Sequence, residues 1–100
     1  MSVTGRLLTA VYLKALLTDA LVYRGIAQNF NNFDAGVYTY VPDTKNIPEG
    51  LNAYGMLIVF QSQSNAFQIA ISQFGDIFTR MKWNEYVRDW KVIQANVLTT

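Results

Sequence analysis

Catalysis by side chains needs a group whose proton can move near neutral pH, held where it can be used. This 100-residue chain contains no histidine and no cysteine. The commonest general base and metal ligand is therefore absent, and so are thiolate chemistry and any disulfide framework. Carboxylates are the main candidates left. The seven acids are Asp19, Asp34, Asp43, Glu49, Asp76, Glu85 and Asp89, and none falls in a spaced motif. Asp43 to Glu49 is a thin oxygen cluster that lacks the pattern of a calcium loop. Asp76 with Glu85 is formally a two-carboxylate glycosidase pair, but a chain this short seldom builds the enclosed cleft such chemistry requires. Glycine-rich phosphate loops and nucleophile elbows are missing as well. The expectation is a non-enzymatic protein with no cofactor and no metal.

Binding has more support. Aromatic residues make up 14% of the chain, more than a core of this size needs. Sugar rings present apolar C–H faces edged by hydroxyls, so a flat aromatic ring beside neutral amides suits them. Trp83, Asn84 and Tyr86 supply such groups, as do Asn65 in the polar stretch 61–65 and Phe74 at a turn. These five are the candidate ligand-binding residues. Trp90, followed by Lys91, Val92 and Ile93, reads instead as core or edge packing.

The elements that must hold these residues centre on residues 55–82, GMLIVFQSQSNAFQIAISQFGDIFTRMK. Three apolar runs separated by polar residues and one glycine predict a three-stranded antiparallel meander. The first run is nearly continuously apolar, as for a strand covered on both faces. In the second, Phe67, Ile69 and Ile71 alternate with Ala66, Gln68, Ala70 and Ser72. In the third, Ile77, Thr79 and Met81 share one face while Phe78 and Arg80 share the other. Gly75 suits a tight turn between them.

Upstream, a strand at 37–41 begins after Gly36, a candidate positive-φ position, and stops at Pro42. Asn29, Asn31, Asn32 and Asp34 predict a turn from which Phe30 and Phe33 plug the core. A short strand near 21–25 leads into it. Residues 42–54 hold both prolines and read as a long loop, either a surface crossover or a functional segment. At the N-terminus, Leu13, Leu16, Leu17, Ala20 and Leu21 recur at helical spacing, and Thr9 could cap the helix. A helix this short is marginal alone and must dock on its own domain or on other copies. The fold class is thus mainly β with a short N-terminal helix, an α+β chain with a small antiparallel meander sheet. Residues 1–24 would form a helical connector or oligomerisation segment and residues 25–100 a β-rich domain.

Charged residues are only 15% of the chain and the formal net charge is +1. The basic residues are spread out, and the one dense patch at 80–91 is interleaved with Glu85 and Asp89, so nucleic acid is a poor partner. No apolar run approaches the roughly 18 residues of a membrane helix, and no compact apolar region reads as a signal peptide. So little charge must be made up by apolar or neutral polar surface, as in a subunit interface.

Taken in order, these segments resemble the small β-rich knob domain of phage tail fibres and R-type pyocin fibres. Phe30-Asn31-Asn32-Phe33 with Gly36-Val37-Tyr38 resembles that family's "DLN…GxY" entry. Tyr54-Gly55-Met56-Leu57-Ile58-Val59 resembles its "GxLxV" strand, and Gln68-Ile69 its "QIY" strand. Gly75-Asp76-Ile77-Phe78-Thr79-Arg80 resembles "GxIYxR", and Asp89-Trp90-Lys91-Val92-Ile93 the closing "W..WKxI". The likeness spans about residues 25–93. It departs at Ala70, where a tyrosine is usual, and at Tyr86 or Val87, where the first closing tryptophan would stand. The resemblance implies a knob-like module in a homo-oligomer, a trimer, on a virion tail fibre or equivalent extracellular particle. Its implied role is receptor binding: host attachment to a cell-surface polysaccharide, without catalytic residues. A spacer or assembly domain of such a fibre is the alternative, as is an accessory carbohydrate-binding domain of a polysaccharide-degrading enzyme.

Overall fold

The computed structural model describes residues 22–93. Every regular element among them is a strand: β1 (Tyr23–Ile26), β2 (Gly36–Tyr40), β3 (Gly55–Ser62), β4 (Asn65–Ser72), β5 (Ile77–Trp83), β6 (Tyr86–Val87) and β7 (Lys91–Ile93). They form one sheet in the order β1-β2-β3-β4-β5, with β6 and β7 both pairing along the far edge of β5. The expected meander is present as β3-β4-β5, antiparallel throughout and extended by β2.

The fold class expected from sequence is corrected on two points. The described residues are all β, with no helix, and the segment expected to be helical at 7–21 lies outside them. The sheet is also mixed, because β1 runs parallel to β2. Residues 27–35 between these strands do not make a hairpin. Asn29 and Asn32 side-chain oxygens accept from the backbone amides of Asn31 and Asp34, which turns the chain locally. The excursion brings β2 back beside β1 in the same direction.

One face of the sheet is covered. On it lie Tyr38 and Tyr40 of β2, Leu57 and Val59 of β3, Ala66, Gln68, Ala70 and Ser72 of β4, and Phe78 and Arg80 of β5, all buried. The cover comes from irregular chain. Phe30 is fully buried and packs edge-on against Tyr40 at 5.1 Å and Trp90 at 5.7 Å. Leu51 is buried too, and Phe33, Ile47 and Trp90 pack partly buried against the same cluster. Residues 42–54, expected as a crossover or a functional loop, thus contribute a layer of the core. They are tied to residues 27–30 by the Thr44 hydroxyl, which donates to the Ala27 carbonyl at 2.7 Å. Backbone bonds from Phe30 N to Lys45 O and from Lys45 N to Gln28 O complete the tie.

Gln68 and Arg80, buried on the sheet, form a network with the turn at Phe30. Gln68 Nε2 and Arg80 Nη2 both donate to the Phe30 carbonyl, at 2.6 and 2.7 Å. Arg80 Nε donates to Gln68 Oε1 at 2.8 Å, and its Nη2 also reaches Asn31 Oδ1 at 3.1 Å. The guanidinium lies 4.5 Å over the Trp90 ring and 5.2 Å over Phe33. Neutral acceptors and ring faces satisfy it in place of a carboxylate, and burial pulls its pKa below the ordinary arginine value.

Gly55 marks a close approach. A Cβ there would fall 2.1 Å from the Ile71 carbonyl oxygen and 2.6 Å from the Tyr40 hydroxyl. That hydroxyl is buried with no hydrogen-bond partner among the described residues. Its pKa is pushed up to about 12, by burial first and by the negative charge of Asp76 second.

Candidate functional site

Strand alternation sends the other side chains to the outer face, where the register stacks them in rows. One row runs Thr39, Met56, Ile71, Ile77, Ile93, and the next Val37, Ile58, Ile69, Thr79, Lys91. A third holds Phe60, Phe67 and Met81. The last row, at the end of the sheet, holds Ser62, Asn65, Trp83 and Tyr86. The three-row region is mainly apolar; Thr39, Thr79 and Lys91 are its polar members, and Arg88 and Asp89 border Phe67 and Met81 at its β7 side. The fourth row combines exposed rings with amide and hydroxyl groups.

Two hairpin tips build that end. Trp83 and Tyr86 face each other across the β5–β6 turn, and they are 54% and 60% exposed. The β3–β4 tip lies alongside. Asn65 Oδ1 accepts from the Asn84 backbone amide at 2.9 Å, and the Ser64 hydroxyl donates to Asn84 Oδ1 at 3.1 Å. Lys82 Nζ donates to the Ser64 carbonyl at 2.7 Å. Both turns begin with a left-handed residue, Gln63 at φ 57° and Asn84 at φ 54°. Asparagine takes that conformation with little strain, whereas glutamine carries more. The two tips are thereby fixed to each other, and the NH2 groups of Asn65 and Asn84 take part in none of these bonds.

Between rows three and four an open cleft of about 220 Å³ is floored by Phe60, Phe67, Met81 and Trp83 and edged by Gln61, Ser62 and Asn65. It is smaller than the roughly 300 Å³ where drug-sized sites begin, and suits a single ring against Trp83. The structure therefore brings Trp83, Asn65, Asn84 and Tyr86 together at one end. Phe74, 74% exposed, sits in the β4–β5 turn at the opposite end. The three residues Phe60, Phe67 and Met81 were missed as site residues. The signal was available, because residues two apart on a strand share a face and place Met81 beside Trp83.

The carboxylates do not converge. Asp76 and Glu85 flank the two ends of β5, whose seven residues span more than about 20 Å, against the roughly 5 to 9.5 Å of a glycosidase pair. Among the described residues, no group of three or more acids could hold a metal ion. A second cleft of about 330 Å³ lies by Arg24, Asp34, Tyr38 and Gln61. There the Arg24 Nε and the Tyr38 hydroxyl donate to the backbone carbonyls of Ala35 and Asp34, which commits them to holding the chain. No protein-family model matches the sequence, and no curated protein or solved structure matches it.

Proposed function

We propose that this chain is a non-enzymatic attachment module of a phage or phage-like tail fibre, contacting host cell-surface polysaccharide at the hairpin-tip cleft. The supporting observation is the pairing of exposed Trp83 and Tyr86 beside an apolar floor with an amide and hydroxyl edge. That arrangement matches the mixed character of a sugar ring: the C–H face stacks on indole, and the hydroxyls meet Asn and Ser groups. The resemblance of the strand order to fibre knob domains supplies the setting, an oligomeric extracellular particle. Trp83 stands at a tip and touches little of the core, so Trp83→Ala should retain the wild-type melting temperature. It should weaken binding to host cells and to their purified polysaccharide at least about tenfold, the loss of one stacking contact worth about 1.5 kcal/mol. Glycan-array silence together with no cell adsorption by the wild-type chain would sink the proposal.

The second reading is a spacer or assembly domain, favoured by the apolar rows of the outer face. Under it the wild-type chain adsorbs to no glycan, and Trp83→Ala changes assembly instead.

A further inference from the structure

A further cleft, of about 210 Å³, adjoins the hairpin-tip cleft at the β5–β7 margin. Phe67 and Met81 line both clefts and form the wall between them. On its far side this one is lined by Arg80, Arg88, Asp89 and Lys91, three cations against one carboxylate. We propose that it seats an anionic group, a carboxylate or a phosphate, carried by a sugar of the same polysaccharide chain that stacks on Trp83. This rests on the attachment reading and narrows its ligand to an acidic polysaccharide.

The backbone fixes where the cations stand. Arg88 N donates to Met81 O at 2.9 Å, and Lys91 pairs with Thr79. Residues 88 to 91 thus take three steps where β5 takes two. An extra residue of this kind re-aims side chains at a sheet margin. Here Trp90 turns inward onto Phe30, while Arg88 and Lys91 both line the outer cleft and are exposed. Arg80 lies behind them, its guanidinium held by the neutral oxygens of Phe30, Asn31 and Gln68. No carboxylate cancels that buried charge, so its field favours an anion in the cleft. Asp89 offsets one cation and leaves the lining net positive. The Arg88 fork can take two oxygens of one carboxylate or phosphate, and Lys91 adds a point charge. A nucleic-acid backbone would need a longer run of cations. Trp83 stands two residues along β5 from Met81, about 7 Å, so neighbouring sugars of one chain can reach both clefts.

The test is a glycan array probed with the full-length chain, with carboxylated, phosphorylated and neutral glycans printed separately. The wild type should be retained by acidic glycans at least about tenfold more tightly than by neutral ones of the same backbone. The set retained tells carboxylate from phosphate. Retention should fall as salt rises from about 0.05 M to about 0.5 M. Arg88→Gln combined with Lys91→Gln should weaken retention on acidic glycans at least about tenfold and keep the wild-type melting temperature, because both side chains are exposed. Lys45→Gln removes a cation from the loop over the inner face and should leave retention unchanged. Retention of neutral glycans alone overturns the proposal and leaves the attachment reading standing. Acidic glycans retained equally by the double variant, or lost equally by Lys45→Gln, do the same. Silence on every glycan together with no cell adsorption sinks the attachment reading and this proposal with it. Binding to phosphatidylglycerol vesicles with no glycan retained also overturns it, since the anion would then belong to a membrane surface.

Discussion

The two faces of this sheet differ less in apolar content than in what covers them. The inner face holds Gln68, Ser72 and Arg80 among Tyr38, Tyr40, Leu57, Val59, Phe78 and two alanines, and is closed over by loops. The outer face holds Phe60, Phe67, Ile58, Ile69 and Ile71 and carries no described cover. What decides the inside is the supply of partners. Phe30, Leu51 and Trp90 arrive over one face with carbonyls and rings that satisfy an arginine, and small alanines leave them room. Apolar content alone does not separate the two sides.

The sharpest way to break this contrast is Arg80→Ala. It leaves the Gln68 amide oxygen without its donor and the Phe30 carbonyl with one donor in place of two, and it empties the stack on Phe33 and Trp90. A loss of about 3 to 5 kcal/mol is expected by denaturant titration, since unpaired buried polar groups add to the cavity. Arg80→Lys should recover only a fraction, because an ammonium cannot fork to both acceptors or lie flat on the rings.

Tyr40→Phe sharpens the comparison from within the inner face. The Tyr40 hydroxyl is buried without a partner, so its removal should leave stability at neutral pH unchanged or raise it by up to about 1 kcal/mol. The pH dependence distinguishes it further. Its folded-state pKa, about 12, lies above the roughly 10 of an unfolded tyrosine. Its contribution is therefore fully present below pH 10 and is lost as pH rises from about 10 through about 12, because the unfolded chain releases the proton first. Chemical denaturation between pH 9 and pH 12 should show a fall in the wild type that is shallower in Tyr40→Phe.

The smallest effect belongs to the outer face. Phe67→Gln should cost less than about 1 kcal/mol in the same denaturant titration. An exposed ring loses little transfer energy on becoming polar. A loss as large as that of Arg80→Ala would mean that the outer face belongs to the core.

Much of the architecture was legible because strands announce themselves by period two. The β3-β4-β5 runs, the turn at Gly75 and Phe30 as a plug followed from spacing. The side facing inward did not, because Phe67-Ile69-Ile71 is the more apolar row of β4 and nothing local signals that the loops lie over Gln68. The parallel β1 was equally hidden, since pairing direction depends on the path of residues 27–35 rather than on Tyr23–Ile26 themselves. In the site, Trp83, Asn84, Tyr86 and Asn65 were readable as turn residues. Phe74 was grouped with them although successive turns of a meander fall at alternating ends, which separates residue 74 from 65 and 84.

The interruptions along the sheet's margins bear on aggregation. Along β5 the far edge is shared by two short strands, β6 at Lys82 and Trp83 and β7 at Ile77 to Thr79. On the opposite side β1 has an irregular register between Tyr23 and Ile26, with Gly25 at φ 89°. Neither margin offers a long, flat row of free amides and carbonyls, the template on which open-ended fibrils grow. The exposed apolar side chains of this sheet thus lie mostly on one broad face rather than along a free edge.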